Sequence, residues 1–142
     1  MIDLKRHLLQ AAERGDAEAQ FNLGMIYENG LDDSRYAVEG NRPEAMRWFS
    51  AAAEQGLSRA QIKLAEIYAG EPEIPENSVK ACGWFLLATA SLRGAQLQRA
   101  QAAYQRASFR LTPDQNAEVR RFAQAWKPTV SDQGDVFDGQ RA

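Results

Sequence analysis

The sequence predicts an all-α protein built from stacked helix pairs. Apolar and alanine residues recur at helical spacing along most of its 142 residues. Alanine is abundant while β-branched residues are sparse, which favours helix over strand. The third observation is an internal repeat. Ala11-Ala12-Glu13-Arg14-Gly15 matches Ala52-Ala53-Glu54-Gln55-Gly56 at an offset of 41, and the same offset carries Ala19, Gln20, Leu23, Gly24 and Tyr27 onto Ala60, Gln61, Leu64, Ala65 and Tyr68. A second match, at an offset of 36, takes Ala45, Trp48, Phe49 and Ala52 onto Ala81, Trp84, Phe85 and Ala88. A period in this range marks a supersecondary unit that must stack on its neighbours to bury its apolar face.

About seven helices follow in order, with no sheet expected. Segment 3–14 is a half unit by its match to the later repeat. Segment 17–29 sets Ala19, Leu23, Ile26 and Tyr27 at helical spacing behind Gly15 and the N-cap candidate Asp16. The polar, turn-like stretch Leu31 to Arg42 absorbs the difference between the two offsets, and insertions in repeat proteins fall in loops. Segment 43–55 opens on Pro43, a residue favoured at the start of a helix. Segments 58–69 and 78–92 start at Ser58 and Ser78 and repeat the two patterns. Segment 95–110 aligns Leu97, Ala100, Tyr104 and Ala107, with Leu111 beyond them. Segment 113–126 follows Thr112-Pro113-Asp114-Gln115, a cap, a proline and an acid at the positive end of the dipole. Lys127-Pro128 ends it, because the residue before proline is pushed out of the helical region. The reading is therefore one helical repeat domain over 1–127 and a disordered tail over 128–142, whose composition lacks apolar periodicity. Tyr27, Phe49, Tyr68 and Phe85 are expected to be buried between helices, and the small residues at Ala19, Gly24, Ala45, Ala52, Ala60, Ala65 and Ala81 allow close crossings.

These residues closely resemble the Sel-one-like repeat, a relative of the tetratricopeptide repeat. Its pattern is an alanine pair, a glycine, a small-residue helix ending in leucine-glycine-x-x-tyrosine, another glycine, and a second helix with an aromatic pair and a further alanine pair. Ala12 to Gly30 and Ala45 to Gly56 fit it almost completely; Ala53 to Gly70 and Lys80 to Ala90 fit with Ala65 for glycine and Thr89 for alanine. The match covers roughly residues 10–94 and fades beyond Gly94. The resemblance implies a right-handed α-solenoid with a concave surface and the work of an adaptor or scaffold in protein complexes; many bacterial members serve signalling, secretion or envelope processes.

The chemistry-bearing residues give no case for an enzyme, a metal or a cofactor. His7 is the sole histidine and has no Cys/His cluster around it in sequence. Cys82, the sole cysteine, has no candidate base nearby and reads as a small apolar residue; without a partner it makes no internal disulfide, in keeping with a reducing compartment. Asp32-Asp33 and Glu71, Glu73 and Glu76 read as solvated loop charge. Asp132, Asp135 and Asp138 lack the spacing and closing glutamate of a calcium loop. No apolar run reaches signal-peptide or membrane-spanning length, so the expectation is a cytoplasmic protein, or a periplasmic one had a leader been removed.

The expected function is protein binding. By analogy with tetratricopeptide units, the first helix of each pair lines the concave face, exposing Glu18, Phe21, Met25, Glu28 and Asn29 in one unit and Arg59, Ile62 and Glu66 in the next. Phe21 and Met25 are apolar without being required by the repeat, which makes them candidate anchors; cover by a neighbouring helix is the competing account. The overall charge of −2 gives no whole-chain case for nucleic acid. Residues 93–127, however, hold 7 Lys/Arg against 2 Asp/Glu. Arg99, Arg106 and Arg110 share a helical face there, either a solvated exterior or a dock for an acidic partner or a second copy. The alternative function is a nucleic-acid-associated factor using this basic C-terminal third. The loop 31–42, with Tyr36, is a further candidate surface.

Overall fold

A computed structural model describes residues 4–33, 36–38, 40–71 and 74–129, with side chains described except at Leu4, Lys5, the segments 31–33 and 36–38, and Pro75. Seven helices run through these residues: α1 (Leu4–Glu13), α2 (Ala17–Asn29), α3 (Arg42–Glu54), α4 (Ser58–Ala69), α5 (Pro75–Thr89), α6 (Gly94–Ser108) and α7 (Pro113–Ala125). They form two compact units. Of the described residues, those up to Leu57 together with Pro128 and Thr129 make the first, and those from Ser58 to Lys127 the second.

The repeated Ala-Ala-Glu-x-Gly block is a helix ending. At the end of α1, the Gly15 N–H donates to the Ala12 carbonyl and the Asp16 N–H to the Ala11 carbonyl. At the end of α3, Gly56 donates to Ala53 and Leu57 to Ala52 in the same way. This is the paired bond of a Schellman stop, which needs a left-handed residue after the cap. Gly15 and Gly56 supply it, with φ of 102° and 97°. Asp16 then caps α2, its carboxylate accepting from the Ala19 N–H at 3.2 Å.

In the first unit α2 packs against both α1 and α3. Ala12, Ala19, Leu23 and Trp48 form a buried cluster, with Leu8, Leu9 and Tyr27 half-buried against it. Gly24 lets α3 come close: a Cβ there would lie 2.7 Å from two ring carbons of Phe49. Gln20 and Gln55 tie the helix ends together. The Gln20 side chain donates to the Ala12 carbonyl at 3.0 Å, and Gln55 donates to the Gln20 side-chain oxygen at 2.9 Å. The start of the tail joins this unit through the Thr129 N–H, which donates to the Glu54 carbonyl at 2.7 Å.

In the second unit α5 is central, packing against α4, α6 and α7. Ala81, Cys82, Trp84, Phe85 and Ala88 of α5 are buried. Trp84 meets Phe122 and Trp126 edge-on, with ring centroids 5.5 Å and 6.4 Å apart. Gly83 makes this possible, since a Cβ on it would lie 2.7 Å from the Phe122 ring. Thr112 and Gln115 form a reciprocal capping box at the start of α7, with bonds of 3.1 and 2.9 Å.

Four sequence expectations change. The stretch after α2 contains a short antiparallel ribbon, β1 (Leu31–Asp33) paired with β2 (Tyr36–Val38), where no sheet was expected. Three-residue strands are too short to leave an alternating pattern in sequence. Helix α5 starts at Pro75 rather than Ser78, because proline at the first position is preorganised for helix even though Ile74 offers no side-chain cap. Ser78 is instead buried within it. The last helix stops at Ala125; Trp126 is already extended. Phe49 and Phe85 are buried as expected, whereas Tyr27 and Tyr68 are half-buried. The tail expected to be disordered lies, from residue 130, outside the described residues.

Candidate functional site

A groove of about 400 Å³ opens on the second unit, where α4 and α6 face each other across α5. Its apolar lining is Ala69 from α4, Phe85 from α5 and Ala103 and Ala107 from α6. Alanine at three of these positions leaves the hollow unfilled. Glu66 stands on the α4 side; Arg106, in the last turn of α6, and Arg110, in the turn just after it, stand on the opposite side. All three charged residues are exposed.

The groove joins residues from two separate sequence readings. Glu66 belongs to the set proposed for the concave face, Arg106 and Arg110 to the basic face. Arg99 is exposed on α6 but does not line the groove. The other candidates on α4 divide. Arg59 is exposed, whereas Ile62 packs half-buried against the cluster of Ala88, Leu92 and Ala100.

On α2 of the first unit, Glu18 and Asn29 are exposed, and Met25 and Glu28 are half-buried. Phe21 is half-buried too, its ring 5.7 Å from that of Phe49 at an interplanar angle of 50°. The neighbouring helix thus covers part of Phe21, so a charge introduced there disturbs an aromatic contact as well as any surface. Tyr36 lies in β2, and its side chain is outside the described residues. Sequence reasoning missed Ala103, Ala107 and Phe109. Phe109 is 89% exposed and follows directly on α6. An apolar residue breaking the phase of the Leu97-Ala100-Tyr104-Ala107 face was the available signal.

Cys82 is buried, and its burial pushes the thiol up from 9.0 to about 11. Between those values the thiol is neutral in the folded chain and ionised in the unfolded one. The stability it contributes is therefore intact below pH 9.0 and is lost as pH rises towards 11. Alkylation by iodoacetamide at pH 8 is expected to be slow in the native protein and fast in denaturant; equal rates would contradict this burial. Among the described residues no group of three or more His, Cys, Asp or Glu is placed to hold a metal ion, and no helix is long and apolar enough to cross a membrane.

A family profile described as the Sel1 repeat matches residues 17–57 and 58–91, more than half of the chain. The chain belongs to the Sel1 repeat family. Sel1 repeats generally serve as scaffolds for protein–protein interaction. The Sel1 match takes in α2, α3, α4 and α5, so α6, with its side of the groove, lies beyond the recognised repeats. The solved structure of c5321, a protective antigen of uropathogenic Escherichia coli strains with an SLR fold, superposes with a TM-score of 0.71 at 27% identity, covering 88% of this chain and 25% of that one. Among curated proteins, the DAP3-binding cell death enhancer 1 of Mus musculus is 32% identical over 88 residues, 62% of this chain. An F-box protein of Arabidopsis thaliana is 42% identical over 57 residues, 39% of this chain. The chain spans 14% of the length of each of these two relatives.

Proposed function

We propose that this Sel1 repeat protein is a protein-binding adaptor or scaffold whose partner seats in the groove of α4, α5 and α6. One observation carries the reading: an open hollow with an apolar lining, flanked by Glu66 on one side and Arg106 and Arg110 on the other. Interfaces concentrate their energy where apolar pockets sit beside arginine and aromatic side chains. The repeat family supplies the general role, and the name of the mouse relative records that it binds another protein. The exposed positions Glu18 and Asn29 of α2 remain the candidate surface of the first unit.

The test places a photo-crosslinking residue in turn at Ala107, Glu18 and Tyr36 in the full chain, identifies the captured protein, and measures its purified binding. Crosslinks from position 107 are expected. Filling the hollow with Ala107→Trp is expected to weaken the purified complex by about tenfold or more, at an unchanged helical spectrum. Crosslinks from Glu18 or Tyr36 alone, with full binding by Ala107→Trp, would move the site to α2 or the ribbon.

A nucleic-acid-associated role is the second reading. It draws on the 7 basic residues of segment 93–127, all of which are exposed. Its mark is affinity for nucleic acid that falls steeply as salt is raised.

A further inference from the structure

We propose that Arg106, Phe109 and Arg110 recognise an acidic linear segment of a partner protein that carries an apolar side chain. The inference rests on the groove reading above and adds the chemistry of the occupant. Arg106 and Arg110 line two concavities at once. One is the groove; the other is a shallow hollow of about 570 Å³ shared with Ala102, Gln105 and Phe109. The two arginines are thus a ridge with an apolar recess on either side. Neither makes an ion pair among the described residues, and both are exposed. Their guanidinium groups are available for the bidentate hydrogen bonds that carboxylates accept.

Phe109 strengthens the case because nothing in the fold accounts for its position. At 89% exposure it leaves nearly a whole aromatic ring in water, while Leu97, Tyr104 and Leu111 around it in sequence are at least partly buried. An aromatic side chain buries about 150–250 Å² when covered, a large reward for any segment that lies across it. Arg106 has a second account, since it sits in the last turn of α6 where a cation complements the helix dipole. Arg110, just past the cap, shares that account in part; Phe109, uncharged and exposed, has none.

Charge selects the occupant. The segment 93–127 has an excess of five basic residues, and at the groove two guanidinium groups face the single carboxylate of Glu66. An acidic segment gains from both arginines and is repelled from the α4 side. Its carboxylates therefore run along α6, while its apolar side chain enters the recess beside Phe85 and Ala107. Two arginines at an apolar hollow suit a few carboxylates better than the long row of phosphates that a nucleic acid presents.

The test is fluorescence anisotropy on the full chain with three labelled probes. These are an acidic dodecapeptide with aspartate and glutamate around a central phenylalanine and leucine, the same peptide with asparagine and glutamine, and single-stranded oligothymidylate. The acidic peptide is expected to bind at least about tenfold more tightly than its amide counterpart, and to lose about tenfold in Arg106→Gln/Arg110→Gln. Phe109→Ser is expected to weaken it several-fold. All three positions are exposed, so these variants should keep the parent melting curve. Equal binding of acidic and amide peptides overturns the inference while leaving the groove reading standing. Absence of peptide binding overturns it as well. Tighter binding of oligothymidylate, lost in the arginine variant, assigns the ridge to nucleic acid. Self-association of the unmodified chain that the arginine variant abolishes assigns it to a second copy.

Discussion

Truncating Phe49 to alanine is expected to cost about 3–5 kcal/mol, the range for deleting a buried aromatic ring. Phe49 is fully buried on α3, and its ring lies against the backbone of Gly24 and the tilted ring of Phe21. Gly24 has no side chain with which to fill the space, and the surrounding alanines cannot grow into it. The cavity would therefore persist, and persistent cavities account for the upper part of that range. Domains of this size are stable by roughly 5–15 kcal/mol, so the loss is a large fraction of the whole. Urea denaturation followed by circular dichroism measures it. Phe49→Leu, which keeps most of the volume, should lose much less. A loss below about 1 kcal/mol for the alanine variant would contradict the packing of α2 on α3 described above.

Trp84→Ala is the second large expected effect, again about 3–5 kcal/mol. Trp84 is buried on α5 and is the common neighbour of Phe122 and Trp126, which come from α7 and the residue after it. Edge-on aromatic pairs add about 0.5–1.5 kcal/mol each beyond the area they bury. The remainder of α7 has a mostly polar surface, with Val119 its one buried residue, so little else holds it to α5. The variant should therefore loosen α7 before the rest of its unit. Hydrogen exchange that becomes faster across residues 113–125 than across α5 is the expected pattern; uniform acceleration would place the loss elsewhere.

The helices were legible because each rests on local chemistry. The Ala-Ala-Glu-x-Gly blocks specify their own endings, Asp16 and Thr112 their own beginnings, and the aromatic pair of each second helix the buried face. Read from sequence, the start of α5 is misplaced at Ser78, whereas the better backbone fit of proline begins the helix at Pro75. The ribbon at 31–38 was not legible, because cross-strand pairing over three residues leaves no periodic trace. The groove was legible only in pieces. Glu66 and Arg106 are 40 residues apart, and their meeting depends on how α4 and α6 settle against Phe85 of α5. The hollow itself is made by what alanine lacks, and absence of volume carries no sequence pattern. Phe21 is readable in two ways from sequence, as an anchor for a partner or as a residue covered by the neighbouring helix; its ring packs tilted against Phe49 and stays half-buried, so the helix covers part of it.

The three tryptophans fall on both sides of the division into units. Trp48 belongs to the first, while Trp84 and Trp126 belong to the second. The two groups of indoles also differ in surroundings. Trp48 has the Arg47 guanidinium 4.6 Å from its ring, while Trp84 and Trp126 meet edge to face. The chain thus carries its own pair of optical reporters. With Trp48 replaced by phenylalanine the emission tracks α5 and α7 alone, and with the other two replaced it tracks α3 alone. Whether the halves melt in one step or in sequence becomes a question that unlabelled protein and a fluorimeter can answer.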